Sequence, residues 1–108
     1  MSRAKGFAAE DRAAKWLTAQ GFEVIDRNFY DKCGEIDIIA VKDEVIHFVE
    51  VKSGENFDPI YAITPTKLGK IAKTAERYLQ RRGFTNAYTI DALLARRNEF
   101  ELIENVTI

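Results

Sequence analysis

The chain has 108 residues, 46% hydrophobic and 31% charged, with 16 basic against 17 acidic side chains and a formal net charge of −1, which suits one soluble domain with a single core. Cys33 and His47 are the only residues of their kinds, and Ser2 and Ser53 the only serines; this excludes an intrachain disulfide and a single-chain His/Cys zinc centre, and it speaks against Ser-His or Cys-His catalysis. Carboxylates and amines are plentiful, so any chemistry should use oxygen ligands and a hard cation such as Mg²⁺.

The first stretch, "MSRAKGFAAEDRAAKW", is charged throughout, and no apolar run approaches membrane-spanning length. We expect no signal peptide, no membrane association and a cytoplasmic location. Residues 3–20 read as a helix that Gly21 stops. At 100° per residue, Gly6, Glu10, Ala13, Ala14 and Leu17 share one side, flanked by Arg3, while Lys5, Asp11, Arg12 and Lys15 lie elsewhere. Glu10 therefore stands in a face of small residues, where the helix should approach a sheet closely. A buried acid without a partner is costly, so Glu10 either stays at the helix edge, snorkelling or pairing with Arg3, or finds a partner in a shared metal site or Lys52. Phe7 and Trp16 read as packing.

Residues 22–30 read as a strand, 31–34 ("DKCG") as a turn, and 35–42 and 45–53 as two strands of a hairpin around Asp43-Glu44. A two-residue loop pairs Lys42 with Val45, Val41 with Ile46 and Ile39 with Phe48. Continued outward, that register opposes Asp37 to Glu50 and Glu35 to Lys52, all on one face. Ile36, Ile38, Ala40, His47, Val49 and Val51 take the other face. Both faces are apolar near the turn, so these strands should be central and covered on both sides. Two carboxylates ~4 Å apart repel by ~4 kcal/mol at an effective dielectric of 20. A cation between Asp37 and Glu50 would relieve that. The blander reading is a solvent-facing strand with a Glu35–Lys52 ion pair. His47 reads as a core or face residue, and Cys33 needs no role.

Residues 54–63 read as a loop. Thr64 and Pro65 start a second helix that runs to about Arg82, before Gly83. "TPTKLGK" lacks the upstream glycine of a phosphate-binding loop. The core face of this helix is Leu68, Ile71, Ala72, Ala75, Tyr78 and Leu79. Beside it runs a basic stripe, Lys67, Lys70, Arg77 and Arg81, that suits either solvent or a nucleic-acid phosphate backbone. Residues 87–95 and 100–108 read as a closing pair of strands, turning near Arg97-Asn98, and Asp91 as a structural strand-end acid. The order helix, three strands, helix, two strands gives an α/β or α+β domain, residues 1–108, with a mixed sheet.

An acid in helix 1 (Glu10), an Asp in one strand (Asp37) and Glu-x-Lys in the next (Glu50, Lys52) resemble the PD-(D/E)xK nuclease superfamily. More closely, "RN" at 27–28, "GEIDIIA" at 34–40, "FVEVK" at 48–52, "TPTK" at 64–67 and "ID" at 90–91 resemble the YraN-like family. These are bacterial proteins described as predicted endonucleases and related to archaeal Holliday-junction resolvases. Ile36 replaces the proline of the superfamily's name, and Ser53 stands where the YraN-like pattern usually has a basic residue. The resemblance implies an α/β, restriction-endonuclease-like core with a mixed five-stranded sheet flanked by two helices. It implies Mg²⁺ (or Mn²⁺) held by Asp37, Glu50 and the Val51 carbonyl, with Glu10 as an outer-shell or second-metal ligand. Glu10, Asp37, Glu50 and Lys52 would be the catalytic set, and Lys52 would hold the attacking water or stabilise charge on phosphorus. The implied activity is hydrolysis of phosphodiester bonds in branched or junction DNA, with Lys67, Lys70, Arg77 and Arg81 on phosphates. Because related resolvases face two strands of a junction, the resemblance also gives a reason to expect a homodimer. Two other readings remain: a noncatalytic nucleic-acid-binding or partner-binding module on the same fold, and a structural domain without metal.

Overall fold

In the computed structural model, which describes residues 2–55 and 63–106, the chain runs α1 (Ser2–Ala19), β1 (Glu23–Asp31), β2 (Gly34–Lys42), β3 (Val45–Ser53), α2 (Pro65–Arg82), β4 (Tyr88–Ala95) and β5 (Phe100–Ile103). The five strands form one sheet in chain order. All neighbours are antiparallel except β3 and β4, which run parallel because α2 carries the chain back between them. The predicted α/β architecture, a mixed five-stranded sheet with two helices, is the one observed. The expectations placed on Arg3, Gly6 and Phe7 fall on residues 2–7, whose side chains are not described, and most of the predicted loop (56–62) lies outside the described residues.

Local chemistry sets the element ends. The Thr64 side chain accepts the Lys67 N–H at 3.2 Å, Pro65 opens α2, and Gly83 closes it at φ 66°. In the β2–β3 turn, Asp43 and Glu44 sit at φ 52° and 66°, the left-handed pair of a type I′ two-residue hairpin. Neither is glycine, and the Asn86 side chain steadies the turn by donating to the Glu44 carbonyl at 2.8 Å.

The two helices cover opposite faces of the sheet. On one, Ala13 and Leu17 of α1 pack with Phe22, Ile38, Ala40, Val49 and Leu93. On the other, Ile71, Ala75 and Tyr78 of α2 pack with Ile36, Ile39, Ile46, Phe48 and Ile90. Each large apolar side chain buried there contributes roughly 1.5–3 kcal/mol. β2 and β3 are central and covered on both sides, as their two apolar faces predict.

Three details depart from the sequence expectations. First, the β2–β3 ladder runs from Lys42–Val45 only to Ile38–Val49, so Asp37–Glu50 and Glu35–Lys52 are not ladder partners. Second, Ile36 belongs to the α2 face with Ile39, not to the α1 face with Ile38. The alternation flips at Asp37. It flips in β1 as well: Arg27 reaches Asp11 of α1, while Phe29 stacks edge-on against Tyr78 of α2. Asn28 between them has φ 53°, and a left-handed residue turns the strand about its axis. Third, β5 ends at Ile103 rather than 108. The Asn105 N–H and Val106 N–H turn back to the Asp91 carboxylate (3.0 Å) and the Ile90 carbonyl (2.8 Å), so the backbone leaves the ladder for β4's own acceptors.

Candidate active site

The pivot at Asp37 builds the site. Along β3, Ile46, Phe48 and Glu50 alternate onto the α2 side; the first two enter the core, and Glu50 ends the row with only 5% exposure. Asp37 leaves the ladder, and its Oδ2 accepts the Val51 N–H at 2.8 Å. A side-chain carboxylate thus takes the place of a backbone acceptor and holds Asp37 against Glu50. Burial foremost, then the hydrogen bond and repulsion from Glu50, push the Asp37 carboxyl up to about 8, against the Val51 N–H, which lowers it.

Glu10 enters from α1. With Ala9 and Glu10 of α1, Gly34, Glu35 and Asp37 of β2, Glu50, Val51 and Ser53 of β3, and Lys67, Lys70 and Ile71 of α2, it lines a cleft of about 340 Å³. No hydrogen bond reaches the buried Glu10 Oε1. The Arg27 guanidinium stands 3.7 Å from it and only 2.8 Å from Asp11. Burial raises the Glu10 carboxyl above the ordinary range, Arg27 opposes this, and Glu35 adds to it. Arg27 is a site neighbour that side-chain periodicity missed; the "RN" dipeptide was its one signal.

Two lysines face these acids. The Lys67 ammonium sits directly on Glu50 Oε2. Burial disfavours its charge, but Glu50, with help from Lys52 and Asp37, holds the ammonium above the usual lysine range. Lys52 is held below that range, first by burial and then by Lys67, against the pull of Glu50 and Asp37. The residues present fit a hard divalent cation. They offer adjacent buried carboxyls, a buried Glu10 oxygen without a hydrogen bond, and a carboxylate that already draws in an ammonium.

The basic stripe of α2 divides. Lys67 is on Glu50, and the Arg77 guanidinium donates to Asp31 of β1. Arg81 is exposed and lies 5.7 Å from the centre of the Phe29 ring, and Lys70 is exposed at the cleft. Arg82, outside the predicted stripe, donates to Asp26 at 2.7 Å. Acids of β1 therefore neutralise part of the stripe, a pairing invisible without the sheet order.

A second polar cluster lies on the α1 side of β3 and β4. His47 Nδ1 is 2.7 Å from Asp91 Oδ2, the Thr89 hydroxyl donates to Asp91 Oδ1 at 2.8 Å, and the Asn105 N–H completes the set. Glu104 brings a third ligand-type side chain within 4.8 Å. Hydrogen bonds already engage both Asp91 oxygens, so the cluster acts as a clasp between the sheet and the chain after β5. Asp91 lies inside β4 (Tyr88–Ala95) rather than at a strand end as expected, and its hydrogen bonds give it a structural part there.

None of the described helices is long and apolar enough to cross a membrane. The pattern of the family described as "Uncharacterised protein family UPF0102" matches residues 9–104. A "UPF0102 protein" of Helicobacter pylori (strain HPAG1) is 56% identical over 97% of this chain and 92% of its own length. One from Wolinella succinogenes is 56% identical over the whole of both chains, and one from Helicobacter hepaticus is 54% identical over 99% and 97%. Matched along most of its length and more than half identical to such relatives, the chain belongs to the uncharacterised protein family UPF0102.

Proposed function

We propose that this protein is a divalent-cation-dependent endonuclease that hydrolyses phosphodiester bonds in structured DNA. The observation that carries the reading is the convergence of Asp37, Glu50 and Glu10, from two strands and a helix, on a cleft that Lys67 also lines, with Lys52 beside Lys67, Glu50 and Asp37. Asp37, Glu50 and the Val51 carbonyl would hold Mg²⁺ or Mn²⁺, with Glu10 behind them. A cation there supplies Lewis-acid polarisation of a phosphoryl oxygen and acidifies water. Lys52 orients the attacking water or stabilises the charge that develops on phosphorus. Its depressed proton affinity suits a group that exchanges hydrogen bonds with a nucleophile. Lys70 and Arg81 meet flanking phosphates. The preference for branched DNA rests on the resemblance of "GEIDIIA" and "FVEVK" to the YraN-like family, which is related to archaeal junction resolvases.

The Lys67–Glu50 ion pair favours a second reading. A site neutralised from within also suits a noncatalytic module that binds nucleic acid or a partner. Incubation with four-way-junction and single-stranded DNA in Mg²⁺ or Mn²⁺ decides between them. The nuclease reading expects cleavage that EDTA and Glu50→Gln both abolish. Binding without cleavage in either metal would support the module.

A further inference from the structure

We propose that Lys67 is the resident counter-cation of the Asp37–Glu50 pair, that a divalent cation displaces it, and that the displaced ammonium then engages the phosphodiester backbone of the substrate. The inference rests on the nuclease reading of this cleft and adds a coupling between its two ligands.

The two members of the ion pair are held differently. The Glu50 side chain is 6% exposed and fixed by a central strand, whereas that of Lys67 is 43% exposed. Its backbone is anchored, since the Lys67 N–H is capped by Thr64. A long side chain on a fixed base can therefore swing while Glu50 stays. A doubly charged cation on Glu50 would repel the ammonium twice as strongly as a single charge at the same distance. The first turn of α2 offers Lys67 no acid to fall back on. Lys70, one turn on, lines the same cleft and is exposed. A displaced Lys67 joins it in a small cationic rim facing the opening, where a phosphate is the natural anion. By reciprocity, metal then strengthens DNA binding through Lys67, and DNA strengthens metal binding.

Lys67→Gln tests this, because glutamine keeps a donor for Glu50 and removes the charge. Electron paramagnetic resonance of free Mn²⁺ should show the variant binding Mn²⁺ about tenfold more tightly than wild type, a change typical of one coupled site. Fluorescence anisotropy of a junction oligonucleotide, with and without Ca²⁺, should show a metal-induced gain in affinity at least about fivefold smaller in the variant. In wild type, the ¹⁵N signal of the Lys67 ammonium should shift on adding Mg²⁺, a readout that stands even where Lys67→Gln fails to fold. Should Mn²⁺ bind wild type while the variant binds it no more tightly, or should the ammonium signal stay fixed at saturating Mg²⁺, the displacement is refuted and the nuclease reading stands. Tighter Mn²⁺ with an unchanged DNA gain refutes the phosphate role. If neither protein binds Mn²⁺ at millimolar concentration, the metal reading of the cleft falls, and the inference with it.

Discussion

The Asp37 carboxylate accepts the Val51 N–H at 2.8 Å, where the β2–β3 ladder has already stopped. One side chain therefore completes the sheet and presents a second oxygen to Glu50. The two jobs conflict, because the repulsion from Glu50 and the burial that accompany them both oppose its charge.

The conflict sets a pH dependence. The Asp37 carboxyl is raised from its ordinary 3.8 to about 8 in the fold. Between those values the native state binds a proton that the unfolded chain releases, so stability falls as pH rises through that window. Wild type should be less stable at pH 9 than at pH 5, by up to roughly 4 kcal/mol from this group at about 1.4 kcal/mol per pH unit, and should melt correspondingly lower. Asp37→Asn should flatten the dependence, and Mg²⁺ should restore the wild-type melting temperature at pH 9. Equal melting temperatures of wild type and Asp37→Asn across that range would show that Asp37 is charged in the fold.

Glu50 and Glu10 should differ in the metal they control. Glu50→Gln should abolish Mn²⁺ binding and cleavage together. Glu10→Gln, behind the pair and near Arg27, should weaken binding by about tenfold, as removal of a supporting group does. Calorimetric titration with Mn²⁺ reads both. Unaltered binding in Glu50→Gln would place the cation elsewhere.

Asp91 gives a test of fold rather than function. It is fully buried and takes hydrogen bonds from His47, Thr89 and the Asn105 N–H. Asp91→Ala leaves those donors unmatched and should cost about 3 kcal/mol. Mn²⁺ affinity, corrected for the folded fraction, should not change. Denaturant unfolding beside the Mn²⁺ titration checks this, and an altered affinity would tie the clasp to the cleft.

Much of this could be read from residue order. Hairpin register, helix caps and central strands followed from Asp43-Glu44, Thr64-Pro65-Gly83 and the two apolar faces of β2 and β3. What escaped was non-periodic. The Asp37 pivot needs a left-handed Asn28 on the neighbouring strand, and period-two counting assumes that no residue breaks step. The Lys67–Glu50 and Arg77–Asp31 pairs join elements far apart in sequence, and charge patterns along one helix cannot reveal them.

Those pairs change what the stripe should do. Arg77 is tied to Asp31, so Arg77→Ala should chiefly lower stability, by roughly 1–3 kcal/mol as for a charged hydrogen bond. Lys70 and Arg81 are exposed. Replacing both with Ala should flatten the log–log salt slope of DNA binding by up to roughly 2, at about 0.9 per phosphate, and leave base preference alone. Anisotropy titrations from low to moderate salt measure the slope. A slope that responds to Arg77 and not to Lys70 and Arg81 would reverse the assignment.

Lys52 separates chemistry from binding. An ammonium has no lone pair, so Lys52 cannot be a ligand. It lies near Glu50, Asp37 and Lys67, and its positive charge opposes a cation held by the two acids. Lys52→Ala should therefore keep Mn²⁺ affinity or raise it. DNA binding should persist, because Lys70 and Arg81 are untouched. Cleavage of junction DNA should fall by about 10²–10³, the loss expected of one electrostatic catalytic group. Lys52→Arg should likewise keep binding without restoring the rate, since a planar guanidinium cannot replace a compact donor at the same point. Suppose instead that Lys52→Ala mainly lowers the melting temperature while the folded fraction cuts at the wild-type rate. Lys52 would then serve only to balance the charge of Glu50 and Asp37, and the chemistry would have to come from another group in the cleft.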